Sequence, residues 1–232
     1  MIFSVARQLG LSRPLALTGV LRLCVHQMSS NQQSERPDLD ALFADLSHPN
    51  PHLQTQAYLD MVEHWPEESM PRLIELLDQP DVSLRRAAVR GLGAFGAVAL
   101  QPLADLFAVS PDGTVRASCV KAYAQIASNF PDQPFTADAM AVLDQALSDT
   151  SPVVSQSAVM ALGQVGQQAL PILIRICKGD NIAHVQSAAM ALAEIPDDEA
   201  ERCLREVLDD ASTDPLARQM VEASLARREG VR

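Results

Sequence analysis

The chain has 232 residues, 47% of them hydrophobic and only 4% aromatic, and a formal net charge of −11. Such an excess of acids excludes a general nucleic-acid binder, because phosphate contacts need surplus cations; a local basic patch remains compatible with it. Ala, Leu, Gln, Glu and Arg with few β-branched runs favour helix over sheet, and no stretch reads as long and apolar enough to insert into a membrane.

The first 27 residues, "MIFSVARQLGLSRPLALTGVLRLCVHQ", carry Arg7, Arg13 and Arg22 and no acid. Arginines and a proline interrupt any secretory-type apolar core. The segment reads as a start placed ahead of a true Met28, an organelle targeting peptide, or a native extension. With the polar lead "SSNQQSERPD" it forms a first region, 1–37, outside the fold; a second region, 38–232, is built of repeats.

The repeat is read from an anchor column: Met61, Leu92, Tyr123, Leu162, Leu192 and Leu225, spaced by 31, 31, 39, 30 and 33 residues. Eleven residues before each anchor stand Asn50, Asp81, Asp112, Ser151, Asn181 and Asp214. All six belong to the small set whose side-chain oxygens cap helix N-termini. Each anchor is thus placed on a second helix beginning at its cap. The first helix of each unit is marked by Pro71, Pro102 and Pro171, read as first-turn prolines, and by apolar Leu42, Leu73, Leu143 and Leu173, with Ala104 as the small exception. Gly96, Gly166 and Pro196 end the second helices. The predicted fold is all-α, a right-handed α-solenoid of about six HEAT-like helical hairpins, in which Ala88, Gly91 and Gly93 let helices approach closely.

In the first unit, His48, His52 and His64 surround a capping loop and are not read as ligands, and Tyr58 and Trp65 read as core. In the second and third units Asp81 with Arg85, Asp112 with Arg116, and later Asp214 with Arg218 repeat a D-x-x-[VLA]-R pattern. Such pairs are expected to bridge adjacent repeats as a structural ladder. Arg86, Arg90 and Lys121 are left over: the fourth unit has Gln156 and Met160 at the Arg86 and Arg90 positions, so the scaffold needs no cation there. These three are the candidate binding residues of a concave face, against the plainer reading of a solvated charged surface. Between units three and four lies an eight-residue excess, "NFPDQPFTAD", whose Phe130 and Phe135 form a candidate binding loop, against the plainer reading of a cover for the core.

No catalytic constellation is evident and no catalytic residue is assigned. Cys24, Cys119, Cys177 and Cys203 form no C-x-x-C pair and no zinc spacing, so metal sites are not expected and reduced thiols in a cytosolic-type compartment are. Cys119 aligns with Ala88 on a packed face and reads as an inert thiol. One enzyme class of helical hairpin repeats holds di-iron with His-Glu dipeptides, and this sequence contains none. "GLGAFG" has the letters of a dinucleotide fingerprint but ends a helix instead of following a strand.

The runs "HPNPHLQTQAYLDM", "PRLIELLDQPDVSLRRAAVRGLGAFG", "TVRASCVKAYAQIASNFPDQPF" and "SPVVSQSAVMALGQVG" resemble the HEAT-like proteins of cyanobacterial bilin attachment, in particular the Z-type members of phycoerythrin operons. The resemblance runs from about Leu42 to the C-terminus and is strongest in the first four units. It implies an accessory, chaperone-like factor in phycobiliprotein maturation in the cyanobacterial cytosol. Its implied partners are a phycobiliprotein apo-subunit and a lyase of the same family, with a phycobilin met only in transit and no permanent cofactor. Two further readings stay open: a bilin lyase or lyase subunit, and an adaptor for phycobilisome degradation. For bilin propionates the resemblance leaves Arg86, Arg90 and Lys121 as the cations available.

Overall fold

The computed structural model describes residues 36–230; the expectations about 1–27 lie outside them. The helices are α1 (Leu39–Asp45), α2 (Pro51–His64), α3 (Pro66–Glu75), α4 (Val82–Ala94), α5 (Leu100–Val109), α6 (Gly113–Asn129), α7 (Ala137–Ala146), α8 (Pro152–Val165), α9 (Leu170–Cys177), α10 (Ile182–Glu194), α11 (Asp198–Asp209) and α12 (Pro215–Gly230). They form six consecutive hairpins, and the described residues contain no strand. The chain is an α-solenoid.

Its core is the anchor column together with its first-helix partners. Met61, Leu92, Tyr123, Leu162 and Leu192 are fully buried and Leu225 nearly so, and they pack with Leu73, Leu103, Leu143, Leu173 and Leu204 from the first helices. The even-numbered helices pack on one another more closely than the odd-numbered ones do. That makes the even layer the inner, concave one. Small residues set the spacing: a Cβ on Gly93 of α4 would lie 2.2 Å from Gln125 Cγ of α6. Any side chain there would push the two helices apart.

Five of the six cap residues act as the column predicts. Asn50, Asp81, Asp112, Asn181 and Asp214 each accept from backbone N–H groups of the following turn. Ser151 does not; Asp149 accepts from the Ser151 N–H at 2.8 Å instead. At the other ends, Gly96 and Gly166 adopt φ of 63° and 70°. A β-carbon is strained there, so glycine stops α4 and α8.

The proline column is corrected in one place. Pro171 is in the first turn of α9, but Pro71 lies inside α3, which begins five residues earlier at Pro66. In units three and five the corresponding stretches, Gly96–Ala99 and Gly166–Ala169, are 3-10 turns leading into α5 and α9. In unit two Trp65, at φ −137°, breaks the chain, and Pro66 then opens a regular helix, adding a turn ahead of the column.

The membrane expectation also needs refinement. The window Pro152–Cys177 reaches a mean hydropathy of 1.2 and has the length to span a bilayer. Gly166 divides it into α8 and α9, which are arms of adjoining hairpins, and 44% of the window is buried inside the solenoid.

Candidate functional site

The arginines of the D-x-x-[VLA]-R pattern do not pair with their own cap aspartates. Arg85 donates to the carbonyls of Gln79 and Pro80, Arg116 to that of Ser110, and Arg218 to that of Asp210. Each guanidinium thus closes the carbonyl end of the preceding helix, while the cap carboxylate is occupied by backbone N–H groups. Only Arg116 bridges repeats, and it does so to Asp149, not to a cap residue. Its Nε and Nη2 donate to the two carboxylate oxygens at 2.7 and 2.9 Å. Both side chains are largely sequestered, at 16% and 8% exposure. These hydrogen bonds hold the Asp149 carboxyl below the usual carboxylate range. The Thr114 amide does the same for Asp112.

With the scaffold arginines accounted for, Arg86, Arg90 and Lys121 remain, and one open groove of about 730 Å³ holds all three. It lies over the first turns of α4, α6 and α8, with Val82, Val89, Gln125 and Val153 on its walls. Arg86 and Lys121 are exposed, and neither makes a hydrogen bond or ion pair with another described residue. Arg90 differs. It is half-buried, and its Nη2 donates to Gln54 Oε1 of α2 at 2.6 Å, so it also ties the first two hairpins together. A second groove of about 280 Å³ continues from Lys121 and Gln125 along Ala124 and Ser157 to Met160. Two free cations, one anchored cation and an apolar continuation are the chemistry this face offers.

The insertion is folded onto the solenoid. Gln133 Oε1 accepts from the Ala97 N–H, and the Gln168 side-chain amide exchanges two hydrogen bonds with the Phe135 backbone. Phe135 is 5% exposed and packs edge-on against Tyr123, ring centroids 5.9 Å apart. It is a core residue and is unavailable to a ligand, contrary to the loop reading. Phe130 is 38% exposed and, with Pro131, Pro134 and Gln164, borders a groove of about 540 Å³.

Cys119 is fully buried and its thiol is pushed up to about 12 by burial, which makes it inert at neutral pH as expected. Cys177 and Cys203 are buried where α9 meets α11, and the Cys203 sulfur together with burial pushes the Cys177 thiol up. His48 Nδ1 accepts from the Asn50 N–H, which confirms its place in the capping loop. On α2, Asp60, Glu63 and His64 bring one ligand atom each within 4.8 Å of the others, a spacing that surface acids adopt without an ion.

The sequence comparison used Met160 only to show that a cation is dispensable. It missed that Met160 and Met190 occupy the Arg90 and Lys121 column as exposed side chains. The signal in the sequence is the recurrence of Met two residues before Leu162 and Leu192; that both are unburied is visible only in the structure.

Stacked helical hairpins with a groove along the inner layer define an α-helical repeat scaffold. A family model described as HEAT repeats matches residues 39–124 and 139–226. The bilin biosynthesis protein CpeZ of Synechococcus sp. (strain WH8020) is 46% identical over 181 residues, which cover 75% of this chain and 97% of that protein. An uncharacterized phycocyanin operon protein Z of Pseudanabaena tenuis (strain PCC 7409) is 33% identical over 194 residues, 83% and 96% of the two chains. The chain belongs to the CpeZ family of HEAT-repeat proteins. Among solved structures, the complex of CpcE and CpcF of phycocyanin lyase from Nostoc sp. PCC7120 aligns with a TM-score of 0.34 at 18% identity, covering 81% of this chain and 97% of that one. An archaeal HEAT-like repeats protein from Thermococcus onnurineus NA1 aligns with a TM-score of 0.41 at 13% identity, over 95% and 99%.

Proposed function

We propose that this chain is an accessory, chaperone-like factor in phycobiliprotein maturation. In the cyanobacterial cytosol it holds an apo-subunit while a lyase partner attaches a bilin to the subunit's cysteine. The kinship with a protein named for bilin biosynthesis supplies the pathway. The observation that carries the helper role is the inner groove, where the exposed cations Arg86 and Lys121 stand free over α4 and α6. Free cations in an open groove recognise anions, either bilin propionates in transit or acidic residues of the client. The described cysteines are all buried, so the nucleophile of thioether formation comes from the client.

The test is co-expression of apo-phycoerythrin subunits with a bilin supply and a lyase partner, with and without this chain. Chromophorylated subunit should fall when the chain is omitted, and fall comparably with Arg86→Gln combined with Lys121→Gln. Attachment by this chain without the lyase would make it an enzyme and overturn the helper role. A preference for assembled, pigmented antenna over apo-subunits would instead favour a degradation adaptor.

A further inference from the structure

Counted two residues before each anchor, one column crosses the whole inner layer: Leu59, Arg90, Lys121, Met160, Met190 and Ala223. Leu59, Met160 and Met190 are 48%, 61% and 39% exposed, on helices whose buried apolar residues include Met61, Leu162 and Leu192. Large apolar side chains in register across successive helices form a patch, unlike singly scattered ones. The order along the stripe is apolar, cationic, cationic, apolar, apolar. Adjacent packed helices lie 8–10 Å apart, so the four steps from α2 to α10 span roughly 30–40 Å. A drug-sized ligand covers one or two of those steps.

We infer that this stripe is a docking surface for one amphipathic α-helix of a partner protein, about 20 residues or more in length, whose seam places acidic residues between apolar ones. Charge complementarity sets the acids against Arg90 and Lys121. Methionine suits the apolar ends, because its flexible, polarizable side chain adapts to differently shaped neighbours. The partner segment is helical because the stripe has no regular row of free side-chain amides to hold an extended backbone. A strand or extended peptide needs side-chain amides for its free N–H and C=O groups. Here Gln54 is engaged at both ends, by Arg90 and the His48 carbonyl, and the amide nitrogens of Gln125 and Gln156 are directed to Asn129 and Ser187. A helix satisfies its own backbone and presents only side chains. Lys121 is shared with the maturation role above; Arg90 and the apolar flanks are additional to it.

The probe is a display library of single helices of about 24 residues, one face randomised, selected against the whole chain. Selected helices should converge on acidic residues flanked by leucine-like ones. Their affinity should fall at least tenfold for the chain carrying Met160→Gln and Met190→Gln, both exposed positions, with an unchanged melt. Lys121→Glu should weaken them similarly and reverse the preference for acids. Selection that returns no helix, or helices that bind the double variant as tightly, overturns the proposal. Concentration-dependent dimers in light scattering that Met160→Gln with Met190→Gln abolishes would assign the stripe to a second copy of this chain and likewise overturn it. These assays contain no bilin, lyase or phycobiliprotein. If they succeed while the co-expression test fails, the helix-binding stripe stands and the maturation role falls.

Discussion

Helices α4 and α8 share their inward-facing residues and differ in the outward-facing ones. Ala88 and Ala158, Leu92 and Leu162, and Gly93 and Gly163 correspond, and all but Gly163 are fully enclosed. Outside, Arg86 and Arg90 of one helix correspond to Gln156 and Met160 of the other. The repeat therefore separates two tasks. Inward residues set helix spacing and are nearly interchangeable between units. Outward residues are less constrained by packing, so one solenoid can carry a cationic segment and an apolar one in the same column.

The comparison is sharpest at the helix starts, where the two units use different devices. Helix α4 is capped by its own Asp81, whereas α8 has no side-chain cap and the turn before it is held by Asp149, which accepts from the Ser151 N–H and also holds Arg116 of the preceding repeat. Asp149→Ala should be the most damaging single change, at about 2–3 kcal/mol in a chemical denaturation curve. It strands a sequestered guanidinium, and the loss stays at the lower edge of the buried-pair range because Arg116 keeps its bond to the Ser110 carbonyl. The same carboxylate governs acid sensitivity. Its folded pKa is depressed, so its contribution is complete above the unfolded value of about 3.9 and is lost as pH falls through the folded one. Asp149→Asn should shrink the loss of melting temperature between pH 5 and pH 2, leaving the part due to Asp112, Asp197, Asp210 and Glu206, which are shifted the same way. An unchanged acid limb would show that the pair carries no linkage.

The glycine column gives the next largest contrast. Gly93→Ala places a methyl against both Cβ and Cγ of Gln125, so α6 itself has to shift. We expect a loss of ~1–2 kcal/mol, since overpacking costs 1–3 and the better helix propensity of Ala returns up to about one. Gly163→Ala meets only the Ala191 Cβ, at 3.1 Å, and should be close to neutral. Equal effects would mean that the inner layer is evenly spaced, contrary to the different clearances.

Asp81→Ala should cost roughly 1 kcal/mol through lost capping, whereas Ser151→Ala should cost almost nothing, because Ser151 makes no side-chain capping bond. This pair also marks how far the sequence could be read. Six hairpins, their anchors and five of six caps were legible, because capping and burial are local demands that restrict a position to a few residue types. Ser151 has a cap-forming side chain in the cap register, and only the structure shows that it makes no capping bond. The arginine ladder failed for a related reason. Sequence places Arg85 four residues beyond Asp81, but the cap's oxygen is already occupied and carbonyls lie nearer. Phe135 was misread because aromatic residues among prolines look alike whether a loop stands away from the core or folds onto it. Arg86, Arg90 and Lys121 do share one groove, yet the Arg90–Gln54 bond joins positions 36 residues apart and has no local signal.

The smallest expected change in stability is the one that isolates the outward residues. Arg86→Gln copies the fourth unit onto the second at an exposed position with no described partner, so its melt should stay within about 0.5 kcal/mol of the parent. Arg90→Met copies the same unit but also breaks the bond to Gln54, and should lose roughly 0.5–1.5 kcal/mol, the net worth of an ordinary hydrogen bond. Gln54→Leu in the Arg90→Met background should then cost only the remaining bond from Gln54 to the His48 carbonyl, because the contact with Arg90 is already gone. Client association separates the two arginines in a different way. A free surface cation acts through a field that salt screens beyond ~8 Å at physiological ionic strength. Arg86→Gln should therefore flatten the salt dependence of apo-subunit binding without altering the melt. If instead the salt dependence is unchanged while Arg90→Met weakens binding at every ionic strength, recognition rests on the anchored arginine and the groove's shape, and the outward charge of the second unit is only a solvated helix face.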